Sequence, residues 1–283
     1  MHPDIRAVSQ GLVQAGYVAT DDIAGAVHLA EQLHRPLLLE GPAGVGKTAL
    51  ARALAVFRQA PLVRLQCYEG LDASHALYDW DYPKQLLAAR LAADGRMDAV
   101  EALYGPQFLV ERPLLHALRA NPAPVLLVDE VDRADEAFEA LLLEFLGEFQ
   151  ITIPEIGTVA AVGRPWVVLT SNRTRDLSDA LRRRCLYLWL DYPSPEREAA
   201  IIRRSVAEVS PALAQAVAES LARLRALALL KPPGLAEAVD WACALHALGF
   251  SSLGPAAITA TASAVLKTTE DRETARRHGW LSP

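Results

Sequence analysis

The 283 residues include 28 Lys and Arg against 34 Asp and Glu, and 52% are hydrophobic. A chain this apolar can offset its ordering entropy, which excludes disorder, and its length suits a large core domain plus a smaller one. The net charge of −6 weighs against a general nucleic-acid binder. Cys67, Cys185 and Cys243 are too dispersed for a disulfide framework or a zinc cluster, so a reducing compartment is expected. MHPDIRAVSQ lacks a basic-then-apolar leader, and no apolar run approaches the roughly 20 residues that span a bilayer. A soluble cytoplasmic protein without stable membrane insertion is the expectation.

Residues 1–35 read as helical, with Val27, Ala30 and Leu33, or Leu29 and Leu33, as the apolar face. The short run Pro36–Glu40, bounded by Pro and Gly, reads as a buried strand. From Lys47 to Gln59 the pattern is helical, with Leu50, Ala53, Leu54 and Phe57 on one face. Two more buried strands are expected at Leu62–Gln66 and Val125–Val128. Residues 67–110 between them break the rhythm and carry the aromatics Tyr68, Tyr78, Trp80 and Tyr82. They exceed an ordinary crossover and read as an insertion in a β-α-β unit.

Phe138, Leu141, Leu142, Phe145 and Leu146 mark a helix that should end near Gly147. Residues 149–162 suggest a hairpin turning at Glu155–Thr158, and Trp166–Thr170 and Leu186–Leu190 are further strands. Strands separated by helices imply a mostly parallel five-stranded sheet flanked by helices. At Asp191–Pro195 the texture changes. Ser194 can cap a helix opening at Pro195, and the rest is helical in spacing. The expected domains are therefore an α/β core over 1–193 and an all-helical domain over 194–283.

Gly41-Pro42-Ala43-Gly44-Val45-Gly46-Lys47-Thr48 fits GxxxxGK[ST] at every fixed position, after a strand and opening a helix. Glycines let the backbone curl so that successive N–H groups face a triphosphate. Lys47 is a point charge for the β- and γ-phosphates, and Thr48 offers a hydroxyl to Mg²⁺. The positive end of the helix adds to this. Val125–Val128 then runs into Asp129 and Glu130. Beside the phosphates, Asp129 can hold Mg²⁺ through its water shell and Glu130 can polarise the attacking water. Such a glutamate separates ATP hydrolases from small-molecule kinases. The amide of Asn172, in Thr170-Ser171-Asn172, can orient that water or simply serve a turn. Arg182, Arg183 and Arg184 can complement a helix dipole; one of them can instead reach ATP on a neighbouring subunit as an arginine finger.

In this order and at these spacings, GPAGVGKT, VLLVDE, TSN and ALRRRC resemble the Walker A, Walker B, sensor 1 and arginine-finger segments of an AAA+ ATPase. The resemblance covers nearly the whole chain and implies a P-loop core followed by a helical lid. It places the finger at Arg184. VDEVDRADEAFEALLLEFLGEFQITIP resembles the MoxR group, and residues 67–110 look like that group's helix-2 insertion. RLQCYEGLDASHALYDWDY and LLKPPGLAEAVDWA look most like members associated with maturation of molybdenum-containing carbon monoxide dehydrogenase. Tyr17 and Val18 resemble the segment that packs against adenine. One departure stands out: where the lid often presents a sensor 2 arginine, this chain has Leu230-Lys231-Pro232-Pro233-Gly234. Lys231 substitutes, the lid couples to nucleotide differently, or the segment is a capped helix start.

The resemblance implies an ATP- and Mg²⁺-dependent ATPase, working as a homo-oligomeric, hexameric ring to remodel a client metalloenzyme. A von Willebrand factor A-domain protein is the implied partner. The alternative is an AAA+ motor subunit acting on nucleic acid, which the acidic balance disfavours. A GTPase switch is disfavoured because no NKxD-like guanine reader follows the P-loop.

Overall fold

The computed structural model describes residues 3–93 and 103–281; expectations reaching 1–2, 282–283 and positions 94–102 of the 67–110 segment lie outside the described residues. The chain forms two compact units. One comprises Met1–Ala15, Thr20–Glu40 and Thr48–Trp189; the other comprises Gly16–Ala19, Gly41–Lys47 and Leu190–Pro283.

The first unit is an α/β fold. Its sheet is built from β1 (Leu37–Glu40), β2 (Leu62–Gln66), β5 (Val125–Asp129), β8 (Trp166–Ser171) and β9 (Leu186–Trp189), all paired parallel in the order β2-β5-β8-β1-β9. The central strands are buried because helices cover both faces. At the edge, β2 alternates instead. Val63 and Leu65 are buried while Arg64 is exposed, so the reading of Leu62–Gln66 as a fully buried strand is corrected. An edge strand keeps one side in reach of solvent, and here that side carries Arg64 and Gln66.

The N-terminal segment is helical as expected and forms two helices. α1 (Pro3–Gln14) and α2 (Asp21–Gln32) are separated where the Thr20 hydroxyl accepts the Ile23 amide as an N-cap. The buried face of α2 is Ile23, Val27 and Ala30, whereas Leu29 and Leu33 remain exposed. α3 (Lys47–Phe57) buries Leu50, Ala53 and Leu54 as expected.

Between β2 and β5 lie α4 (Ala73–Ala76), β3 (Tyr78–Trp80), α5 (Tyr82–Ala93), β4 (Leu109–Glu111) and α6 (Pro113–Arg119), with β3 and β4 pairing antiparallel. Trp80 meets Tyr78 and Tyr104 edge to face at 6.2 and 5.4 Å, Tyr68 pairs with His75, and Tyr82 stays exposed.

α7 (Glu136–Glu148) passes through Gly147 and stops at Phe149, which takes the left-handed conformation at φ +51. Burial of the Phe149 ring beside Phe145, with Arg164 stacked on it at 4.4 Å, offsets that backbone cost. The hairpin pairs β6 (Gln150–Ile153) with β7 (Gly157–Ala160), turning over 154–156. α8 (Asp179–Arg184) then leads into β9.

The C-terminal part of the second unit is helical: α9 (Pro195–Ser205), α10 (Pro211–Arg225), α11 (Leu235–Ala247), α12 (Pro255–Thr261) and α13 (Thr269–Arg277). Ser194 caps α9 through the Arg197 amide, as its position before Pro195 predicts. Its core gathers Val217, Leu221 and Leu245 around Trp241, whose indole N–H donates to Thr261 Oγ1 at 2.7 Å. No helix among the described residues is long and apolar enough to cross a membrane.

Candidate functional site

Parallel pairing brings the carboxyl ends of β1, β5 and β8 to one edge of the sheet, where α/β folds place ligands. The buried strand β5 delivers Asp129 there, 3% exposed, and a buried carboxylate needs partners. It has several. Oδ1 accepts the Thr170 hydroxyl at 2.6 Å and the Thr48 hydroxyl at 3.1 Å; Oδ2 accepts Arg64 Nε at 3.0 Å and Nη2 at 2.6 Å. Thr48 and Asp129 are thus adjacent hard-oxygen groups. Mg²⁺ is commonly held by one or two such protein ligands plus waters and phosphates, and the pair suits that role. No group of three His, Cys, Asp or Glu residues among the described residues could hold a metal alone.

Glu130 takes the left-handed conformation at φ +55, and its amide donates to Thr170 Oγ1 at 2.9 Å. Its carboxylate lies near three side chains: Gln66 Nε2 at 3.2 Å, Arg133 Nη1 at 3.2 Å and Asn172 Nδ2 at 3.5 Å. The Asn172 loop is held by Asp132, whose Oδ2 accepts the Asn172 amide at 3.2 Å and the Thr174 amide and hydroxyl at 2.8 and 2.7 Å. Glu130, Asp132, Arg133, Asn172 and Arg175 line one cavity of about 710 Å³.

Gly41–Lys47 of the P-loop belong to the second unit and Thr48 to the first. Gly41, Gly44 and Gly46 all have positive φ. At Gly44, φ is +77 and an added Cβ would lie 2.8 Å from Gly234 Cα, so the position admits only glycine. The Gly44 carbonyl also accepts the Leu235 amide at 2.8 Å. Lys47 is buried, and its ammonium donates to the carbonyls of Gly41 and Pro42 at 2.7 and 2.8 Å. Tyr17 is buried and adjoins Gly46. Burial pushes its phenol up, against a lowering effect of Arg197. The Val18 carbonyl accepts Arg197 Nε and Nη2 at 3.0 and 2.7 Å. Pro42, Ala43 and Val45 complete the loop; Val45 is buried and Ala43 exposed.

Lys231 lines a cavity of about 490 Å³ with Pro42, Ala43 and Gly44. Its backbone N–H, like that of Leu230, is taken by Asp271, and α11 opens at Gly234, whose N–H donates to Glu237. The three arginines of α8 separate clearly. Arg182 makes a forked ion pair with the buried Glu40, whereas Arg183 and Arg184 are exposed.

The model of the AAA domain (dynein-related subfamily) matches residues 36–185, more than half of the chain. The chain belongs to that family. As an AAA domain it is a P-loop NTPase of α/β fold followed by a helical region. An uncharacterized protein of Staphylococcus haemolyticus is 24% identical to this AAA domain protein over 171 residues, 56% of this chain and 57% of that one. A relative in Staphylococcus saprophyticus is 23% identical over 172 residues, 57% of each. The chain spans a little over half the length of these curated relatives. Among solved structures, a point mutant of Thermotoga maritima RuvB aligns with a TM-score of 0.50 at 21% identity, covering 91% of this chain and 68% of that one. The RuvB Holliday junction branch migration motor itself gives 0.47 at 20% identity, covering 91% and 68%. The likeness is one of fold.

Arg64, Gln66, Asp132 and Arg197 escaped the sequence reading. For Arg64 and Gln66 the signal was present: polar residues two apart on a short strand share a face. Asp132 and Arg197 act through contacts with residues 40 and 179 positions away, which no local pattern reports.

Proposed function

We propose that this AAA domain protein binds Mg-ATP and hydrolyses it to drive remodelling of another protein. The observation that carries the reading is the Thr48–Asp129 contact at 3.1 Å with Glu130 next in sequence and Asn172 beside it. The P-loop amides and Lys47 would cradle the phosphates, Thr48 and Asp129 would hold Mg²⁺, and bound Mg²⁺ would neutralise developing charge on the β- and γ-phosphates. Glu130 accepts a proton from a water as its oxygen bonds to the γ-phosphorus. The bond from that phosphorus to the bridging oxygen breaks, leaving ADP and inorganic phosphate. Asn172 positions that water. Tyr17 and Val18 flank the base.

The division at 193/194 is read as core and lid. Arg184, exposed at the end of α8, is the residue proposed to act in trans on ATP of a neighbouring subunit, in a hexameric ring. Within the family the motif strings favour the MoxR group, and a cytoplasmic role maturing a molybdenum hydroxylase such as carbon monoxide dehydrogenase, with a von Willebrand factor A-domain partner. The RuvB likeness, being of fold alone, gives no specific support to a nucleic-acid motor.

The test is Glu130→Gln. It should retain ATP binding and lose nearly all phosphate release; near-normal turnover would remove Glu130 as the water activator. Co-purification of the tagged protein from its native host tests the client. Recovery of nucleic acid without a metalloenzyme would reverse that part.

A further inference from the structure

Asp129 faces a difficulty that the bound-state reading leaves open. Its carboxylate is buried, and a buried charge without a counter-charge is strongly disfavoured. In this structure the charge is met by Arg64, which approaches Oδ2 through two nitrogens, Nε at 3.0 Å and Nη2 at 2.6 Å. The guanidinium is steadied from its other side, where Nη2 also donates to Gln66 Oε1. The remaining oxygen, Oδ1, is engaged by the hydroxyls of Thr170 and Thr48. Both carboxylate oxygens are therefore taken.

These partners differ in what metal binding would demand of them. The Thr48 oxygen keeps lone pairs for a metal while its hydroxyl goes on donating to Asp129. Thr170 need not move at all. Arg64 is different: it is permanently charged, and at 2.6 Å it stands where a metal-bound water on Asp129 would stand. A guanidinium and a dication cannot share that oxygen. Arg64 also has a way out, because its side chain is 45% exposed and β2 is the edge strand of the sheet.

We propose that Arg64 is an exchangeable counter-cation: it holds Asp129 in the metal-free protein and must release it before Asp129 can serve Mg²⁺. Arg64 thereby sets the Mg²⁺ concentration at which nucleotide is captured. It is a positioning residue, and the inference rests on the reading of Thr48 and Asp129 as the Mg²⁺ pair.

The test uses the full chain stripped with EDTA, with mant-ADP as the probe and no turnover. Mg²⁺ is titrated while the increase in mant fluorescence is followed; Mn²⁺ with ADP, read by EPR, gives an independent measure. Arg64→Gln removes the competing charge, so half-saturating Mg²⁺ should fall by about tenfold, within the range charge-assisted contacts support. Arg64→Lys, which keeps the charge but not the fork, should lie between the two. A protein that merely needed Arg64 for folding would instead bind both nucleotide and metal less well in the two variants. An unchanged or raised half-saturating Mg²⁺ in Arg64→Gln, with wild type showing Mg²⁺-dependent binding, overturns the proposal alone. Wild-type binding that is indifferent to Mg²⁺ overturns the metal-pair reading and this proposal together.

Discussion

Glu40 and Arg182 form a forked ion pair, Nη2 to Oε1 at 2.9 Å and Nη1 to Oε2 at 3.2 Å, joining the last residue of β1 to α8. Glu40 is fully buried. Arg182→Ala would leave that carboxylate with Arg173 at 3.9 Å as its cationic neighbour, beside the Tyr187 phenol. Breaking a buried pair from one side costs about 3–5 kcal/mol. Because Arg182 is partly exposed, the expected loss is smaller, about 2 kcal/mol. Urea unfolding should show a lower midpoint at unchanged m-value.

Arg184→Ala should behave in the opposite way. Its side chain is exposed, so the unfolding free energy should stay within about 0.5 kcal/mol of wild type, while ATP turnover collapses if the residue acts in trans. Mixing Arg184→Ala subunits with Glu130→Gln subunits then restores some turnover, since a mixed interface in one of its two orientations pairs an intact Glu130 with an intact Arg184. Stable mixed rings with no recovery would exclude the trans role. Arg182→Ala gives the control, because its defect should follow stability rather than subunit mixing.

That contrast also shows where sequence reading reached its limit. GPAGVGKT and VLLVDE are local strings whose spacing carries their chemistry, and all five strands of the parallel sheet are legible as short, mainly apolar runs, although β2 alternates in burial. Among three consecutive arginines, however, spacing cannot say which one turns toward Glu40, 142 residues earlier. The same applies to Arg64, whose partner Asp129 lies 65 positions on. At the end of α7 the local rule holds to within a residue: the helix closes at Glu148, one position past Gly147, and Phe149 rather than the glycine takes the left-handed cap with its ring buried.

Thr170 is a further residue whose role only the fold exposes. Its hydroxyl donates to Asp129 at 2.6 Å and accepts from the Glu130 amide at 2.9 Å, so one oxygen orients both acidic residues. Thr170 is buried, at 1% exposure, away from bulk solvent. Thr170→Val keeps the shape and removes both hydrogen bonds. Stranding the buried partners should cost about 1–3 kcal/mol, and ATP turnover should fall even where nucleotide affinity holds. Thr170→Ser, which restores the hydroxyl, should recover turnover. A Ser variant as impaired as the Val variant would mean that the hydroxyl alone does not carry the role, and an impaired Ser beside an intact Val would assign it to the methyl group.

The thiols give a prediction in pH. Burial pushes Cys67 up to about 12, with Asp129, Asp132 and Glu130 adding to the rise. Burial likewise lifts Cys185 to about 12, against a lowering effect of Arg35. Both start from an ordinary value of 9.0. Below that value the folded and unfolded chains both hold these protons, and the contribution to stability is complete. From 9.0 to about 12 the unfolded chain has lost protons that the folded chain retains, so stability falls as pH rises through that window. A variant with Cys67→Ala and Cys185→Ala should therefore lose stability less steeply above that lower bound than wild type, whatever its stability at neutral pH. Thermal unfolding followed across the window measures the two slopes, and parallel slopes would refute the assignment. In the native protein near neutral pH, a thiol reagent such as DTNB should label the exposed Cys243 promptly and leave the buried Cys67 and Cys185 unmodified.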